Sequence, residues 1–219
     1  MYWQDDKEDK PFVVPENVLD LLFQIDCPTL PVDHAWLLQR EIRRVLPWFG
    51  QGPGEGLHII HGADSGNGWE RPQAAAELLH LSRRIKLTLR LPQARIDAAG
   101  PLSGARLDIA GHSMRIGVAK PRKLALTNIL YTRYLAGPET GDEELFIAWA
   151  VEQLQSLGVR FKKVLCGRRT TIERPEGALQ TRSLMVADLP YPDAVRLQEQ
   201  GIGPHRALGC GLFVPQKSF

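Results

Sequence analysis

Two features of this sequence can carry chemistry: its histidines and a cluster of glycines near the C-terminus. The histidines are His34, His58, His61, His80, His112 and His205. Imidazole changes charge near neutral pH, which suits it to moving protons. His34 stands at the start of a helical pattern, just after Asp33. A helix N-terminus disfavours imidazolium, so the ring stays neutral and ready to accept a proton. The same terminus attracts phosphate. His34 is therefore the first candidate for proton transfer, with a solvated residue beside a helix cap as the plainer alternative. His58, His61 and Asp64 form an HxxHxxD string. Residues three apart on a strand point to opposite faces, so both histidines reach one ion only if the strand ends between them. No metal is expected. His205 lies inside the glycine cluster, as a phosphate contact and a second-choice catalyst. His80 and His112 read as strand-edge residues.

The cluster is GIGPHRALGCG, residues 201–211, with Gly201, Gly203, Gly209 and Gly211 in two Gly-apolar-Gly units. Glycines allow positive φ and let backbone N–H groups come close to a phosphate or a base. Arg206 adds a fixed positive charge between the units. The spacing is neither the GxxxxGK[ST] phosphate loop nor the dinucleotide fingerprint, which follows a strand. A turn that needs glycine for geometry alone is the competing reading.

These residues need elements to position them. VLDLLFQIDC (18–27) reads as a buried strand. Residues 33–49 place Ala35, Leu38, Ile42, Val45 and Leu46 at helical spacing, with Asp33 as N-cap and Pro47 as the stop. Strands are expected at 57–63 and 81–91, a short helix at 92–102, and a strand pair or bent strand at 106–120. The second half offers a strand at 123–137 and a helix at 141–158 with an acidic first turn. Strands at 159–167 and 181–189, a helix at 193–201 and a closing strand at 210–217 follow. The order β-α-β-β-α-β thus occurs twice. The expected class is α+β, a tandem ferredoxin-like arrangement with its seam near 119–124 and domains spanning 1–120 and 121–219.

Composition sets the outer bounds. The 219 residues are 43% hydrophobic and 24% charged, ordinary for a globular protein. No apolar run is long enough for a bilayer, so no membrane partner is expected. The polar, acidic start MYWQDDKEDK does not resemble a secretory signal, which places the protein in the cytoplasm. Cys27, Cys166 and Cys210 lie far apart and read as small buried hydrophobes. Residues 1–114 carry 12 Lys+Arg against 15 Asp+Glu; residues 115–219 carry 15 against 10. A polyanion would therefore lean on the C-terminal half. The exposed cations expected to face it are Arg83 and Arg84, Lys120, Arg122 and Lys123, Lys162 and Lys163, Arg168 and Arg169, and Arg182. Trp69, in a polar loop, is available for stacking, whereas Trp36 and Trp149 sit on helices and read as core.

The doubled glycine motif before the last strand, with the tandem βαββαβ order, resembles the repeat-associated RAMP proteins of CRISPR systems. Within them the chain is similar to the repeat-RNA-processing endoribonucleases of the Myxan type. The residues carrying that closer match are LPVDHAWLL, SGNGWERP, LHLSRRIKLTLRLP, TRSLMVADL and LGCGLF. The resemblance covers nearly the whole chain. It implies metal-independent cleavage of pre-crRNA, without cofactor, by attack of a ribose 2′-OH on the adjacent phosphate. A 2′,3′-cyclic phosphate and a 5′-OH result. It also implies a catalytic histidine in or just before the first helix, a position that His34 matches. The RNA contacts expected are then Gly201, Gly203, His205, Arg206, Gly209 and Gly211 of the glycine motif, joined by the cations Arg83, Arg84, Lys120, Arg122, Arg168 and Arg182 read from the charge pattern. The partners are then a repeat RNA, expected to be a hairpin, the guide RNA product, and other CRISPR effector-complex subunits. The second catalytic group stays open among Tyr131, Tyr134, Ser183, Lys120 and Arg40. The aromatic-rich strand of ordinary RNA-recognition sheets is absent, against simple single-strand binding. A non-catalytic RNA-binding subunit of an effector complex is the rival reading.

Overall fold

Apolar alternation along residues 18–25 puts Leu21 and Phe23 on one face of a strand and Asp20 on the other, and that division organises the first half. A computed structural model describes residues 12–62, 72, 77–139 and 141–216. The first half runs β1 (Val18–Asp26), β2 (Thr29–Pro31), α1 (Ala35–Val45), β3 (Gly56–His58), β4 (Leu78–His80), β5 (Lys86–Pro92), β6 (Arg106–Ile109) and β7 (His112–Lys123). The second half runs β8 (Ile129–Ala136), α2 (Glu143–Ser156), β9 (Lys163–Ile172), β10 (Leu179–Ala187), α3 (Tyr191–Gln200) and β11 (Val214–Pro215). The sheets are ordered β3-β5-β1-β7-β6 and β11-β8-β10-β9, and their paired strands are antiparallel. Each places its closing strand beside its first, then its third, then its second. That shared order is the ferredoxin-like signature in tandem.

Each sheet has its own core. Leu21, Phe23, Leu38, Ile42, Leu57 and Leu89 belong to the first, and Leu130, Phe146, Leu154, Leu184, Leu197 and Phe213 to the second. Burying side chains of this size contributes roughly 1.5–3 kcal/mol each. A third cluster joins the halves: Ala35 and Ile59 from the first pack with Tyr134, Ala136, Ile172, Leu179, Leu208 and Cys210 from the second. Cys27, Cys166 and Cys210 are free thiols, and burial pushes the Cys210 thiol up to about 12.

Several elements differ from expectation. Residues 92–102 form two 3₁₀ turns, Gln93–Arg95 and Asp97–Leu102, with Pro101 inside the second. Proline cannot donate the hydrogen bond an α-helix would need there. The strand expected over 57–63 stops at His58, and the closing strand over 210–217 shrinks to Val214–Pro215. The segment before β11 folds instead as a turn packed into the junction. No helix among the described residues is long and apolar enough to cross a membrane.

Candidate active site

The start of α1 lies at the junction of the two halves. Asp33 does not cap the helix; His34 occupies the N-cap position and makes no side-chain cap bond. Asp33 Oδ2 instead accepts from the Glu173 backbone N–H at 2.8 Å, tying the helix start to the end of β9. His34 is fully buried, which rules out the solvated residue beside a cap. Its Nδ1 lies 2.9 Å from the Pro31 carbonyl oxygen. A carbonyl only accepts, so Nδ1 carries the proton, and Nε2 holds the lone pair when the ring is neutral. The neutral ring thus keeps its lone pair at Nε2, an atom enclosed in the folded protein.

His61 stacks on Tyr134, ring centroids 5.9 Å apart at 25°. Tyr134 packs in the same cluster as Ala35, the residue after His34. The end of β3, the start of α1 and strand β8 therefore converge. Of the groups left open as a second catalyst, Tyr134 is the one brought to this place. Arg40 lies over the Trp36 ring at 5.3 Å, Lys120 is exposed on β7, Ser183 is buried in the second sheet, and Tyr131 faces Arg133.

His58 goes elsewhere. Its Nε2 is 3.3 Å from Asp20 Oδ1, inside a cluster where Arg90 Nε (2.9 Å) and Nη2 (3.3 Å) and Arg122 Nη2 (3.1 Å) also donate to Asp20. Burial would raise the Asp20 carboxyl, but Arg90 and His58 outweigh it and hold it well below the ordinary carboxylate range. Burial pushes the His58 imidazole down despite Asp20. His58 and His61 thus serve different neighbours, and Asp64 lies outside the described residues, as does Trp69.

The glycine turn closes on the protein itself. All four glycines have positive φ, from +62° at Gly201 to +102° at Gly209. The N–H of Gly201 donates to Leu197 O (2.9 Å), that of Gly209 to Arg206 O (2.9 Å) and that of Gly211 to Tyr134 O (2.7 Å). Those donors are engaged and do not point outward. A Cβ on Gly201 would collide with the Arg206 guanidinium and the Gly211 carbonyl, and one on Gly209 would come within 2.8 Å of Ile59 Cδ1. Here glycine permits backbone to lie on backbone. Arg206 folds inward: Nη2 donates to Glu199 O at 2.9 Å, while Nε and Nη1 are enclosed with no hydrogen-bond partner among the described residues. Burial, then Arg90, lowers it to about 10, so it stays charged at neutral pH. His205 remains exposed in the left-handed region, at φ +67°.

The other expected cations separate into distinct places. Arg83 and Arg84 are exposed in the turn before β5, and Arg168 is exposed on edge strand β9. Lys120 and Arg122 share a face of β7, opposite Leu22 and Asp20. Arg182 is only 6% exposed; it donates to Glu143 Oε2 at 3.1 Å and Gly141 O at 3.3 Å and lies over the Phe146 ring. It braces the start of α2 and has left the outer face. Lys162, Lys163 and Arg169 remain exposed.

A second glycine-rich segment, which the sequence shows only as a break before the next strand, meets the first. In GQGPGEG (50–56) the buried Glu55 carboxylate accepts from the N–H of Gly50 at 2.6 Å and of Gly52 at 3.3 Å. A Cβ on Gly50 would sit 2.5 Å from that of Ala207. Between the two segments and α1 opens a cavity of about 450 Å³. The available signal was the helical repeat Trp36, Gln39, Arg43, which marks a face distinct from the buried stripe.

A family model described as Cas6 Crispr matches residues 19–218. The CRISPR-associated endonuclease Cas6 of Myxococcus xanthus (strain DK1622) is 31% identical over 197 residues, covering 90% of this chain and 81% of that protein. The solved structure of a CRISPR associated protein Cas6 superposes with a TM-score of 0.66 at 12% identity, covering 91% of this chain and 100% of that one. Thermus thermophilus Cse3, bound to an RNA representing a pre-cleavage complex, superposes with a TM-score of 0.51 at 16% identity, covering 90% and 98%.

Proposed function

The chain belongs to the Cas6 family, and from that premise we propose that it is an endoribonuclease that cuts CRISPR repeat RNA (pre-crRNA) into guide RNAs. The family match across residues 19–218 carries this reading. In the proposed mechanism His34 Nε2 takes the 2′ proton of the nucleotide before the cut. The 2′ oxygen attacks the phosphorus, the P–O5′ bond breaks, and a 2′,3′-cyclic phosphate and a 5′-OH remain. The Pro31 carbonyl holds the required tautomer. Tyr134, which stacks on His61 and packs in the same cluster as Ala35, is the proposed donor for the leaving 5′ oxygen. No metal or cofactor takes part in this scheme. The 1–120 domain supplies His34, and the 121–219 domain supplies Tyr134 and the glycine turn. His205, Arg83, Arg84, Lys120, Arg122 and Arg168 contact the RNA, and the glycine turn shapes the surface on which it lies. The proposed setting is the prokaryotic cytoplasm, with other effector subunits as further partners.

The test is incubation with the repeat RNA of its own genome in excess EDTA, followed by analysis of product ends. Cleavage leaving a cyclic phosphate supports the mechanism; activity that needs added Mg²⁺ or Mn²⁺ refutes it. Binding of repeat RNA without cleavage under either condition favours the non-catalytic reading.

A further inference from the structure

We infer that the cavity between α1, the 50–56 turn and the glycine turn receives a single unpaired nucleotide of the RNA, its base on Trp36 and its phosphate at Arg174. This deepens the RNA-cleaving reading and rests on it. The cavity's volume, about 450 Å³, falls in the range of roughly 300–1,000 Å³ for small-ligand pockets. Its walls come from both halves, so it exists only in the assembled fold. Trp36, Gln39 and Arg43 share one face of α1 and line one side; Arg174, Glu176 and His205 line the other. Trp36 packs against the cluster that joins the halves, and the half-exposed Arg40 lies over its ring at 5.3 Å, so an entering base displaces Arg40 from that ring. The Gln39 amide and the Glu176 carboxylate can meet the edge of a base, donating and accepting. Arg43 is partly engaged, its Nε donating to Phe49 O at 3.0 Å. Arg174 uses Nε toward Gly177 O at 3.3 Å, which braces the guanidinium. Glu55 on the cavity wall is held by the backbone N–H groups of Gly50 and Gly52 and paired with Arg95. An aromatic face, a positive rim and a single-nucleotide volume fit an unpaired base. The cavity lies along the helix that begins at His34, so the nucleotide it holds is near the cut.

Two measurements test this. First, each of the four nucleoside 5′-monophosphates is titrated into the intact protein while the Trp36 indole N–H resonance, assigned with Trp36→Phe, is followed. At least one should shift it saturably at millimolar concentration, and Arg174→Ala should weaken that response severalfold. Second, an abasic residue is scanned through the single-stranded parts of the repeat RNA. One position should weaken binding by roughly 5- to 100-fold in the parent, the range expected of one stacked base, and should have little further effect in Trp36→Ala. A Trp36 resonance indifferent to all four nucleotides, or abasic effects that simply add to Trp36→Ala, would overturn the inference. If nucleotides shift Trp36 while repeat RNA is never cut, the pocket stands and the endonuclease reading falls.

Discussion

Arg90 in the first sheet donates through Nη1 to the carbonyl oxygen of Phe213, 2.8 Å away in the segment that closes the second. The same nitrogen reaches Gln198 O at 2.9 Å, and Nε and Nη2 hold Asp20. One buried side chain therefore fastens the two halves that together shape the glycine turn and the cavity. Removing one member of a buried charge cluster typically costs about 3–5 kcal/mol, because the partner is left uncompensated. Arg90→Ala should destabilise the protein by that amount in denaturant unfolding. A loss below about 1 kcal/mol would show that the cluster does not hold the halves together.

The same cluster sets a pH dependence. His58 is depressed in the folded state by burial, so below its unfolded value near 6.5 the unfolded chain binds more protons and stability falls. His205 is depressed too, by burial and then by Arg174, and acts in the same direction. Asp20 is held below the ordinary carboxylate range and adds a further loss once pH drops beneath about 4. Urea midpoints should be flat above about pH 7 and decline from about 6.5 downward. His58→Gln should flatten the decline that sets in below about 6.5; an unchanged slope would remove His58 from the account.

Gly201→Ala tests the inward-facing turn. Its Cβ would meet the Gly211 carbonyl, at φ +62° and ψ −172°, a region open essentially to glycine alone and costing other residues roughly 1–3 kcal/mol. Gly104→Ala is the control: φ is +88° but nothing lies within 4 Å. The melting temperature should fall clearly more for Gly201→Ala than for Gly104→Ala. Equal falls would mean that backbone strain, not close packing, explains this glycine.

Arg206 and the exposed cations separate by salt dependence. Arg206 is enclosed, so Arg206→Met should leave the slope of log affinity against log salt unchanged. Lys120→Ala and Arg168→Ala, each removing one proposed phosphate contact, should reduce it by about one unit. A reduced slope for Arg206→Met would place its guanidinium against RNA after all.

These relationships divide what the sequence can reveal from what it cannot. Periodicity is local, so β1, α1, α2 and α3 were legible from apolar spacing, and the doubled element order gave the tandem fold. Asp142 and the acidic residues Glu143 and Glu144 at the start of α2 behave as their positions imply, Asp142 capping Glu144 N at 2.8 Å. Partners distant in sequence were not legible. The alternation Lys86, Thr88, Arg90 marks a polar face of β5, but nothing local names Asp20 across the ladder or Phe213 beyond it. Arg182 looked like any cation opening a strand, because only the folded sheet turns it toward Glu143. The glycines take the positive φ their spacing implies, yet the neighbours their missing side chains admit are the protein's own backbone and side chains.

His34 is the hardest position to separate, because burial makes any substitution costly to the fold. His34→Gln keeps a polar side chain of similar reach. Loss of a general base commonly costs about 10²–10⁴-fold in rate. His34→Gln should bind repeat RNA within a few-fold of the parent while single-turnover cleavage falls at least tenfold. Full cleavage by a folded His34→Gln would pass the role to another residue, His205 being the next to test.

The central claim is that the nucleophile is the RNA's own 2′-OH. The direct measurement is single-turnover cleavage, in EDTA, of a repeat RNA carrying one 2′-deoxy nucleotide immediately 5′ of the cut, beside its all-ribose twin. The all-ribose RNA should be cut to a 2′,3′-cyclic phosphate, and the deoxy RNA should bind equally and remain whole. A deoxy RNA cut at the same site would contradict the account, whatever His34 does.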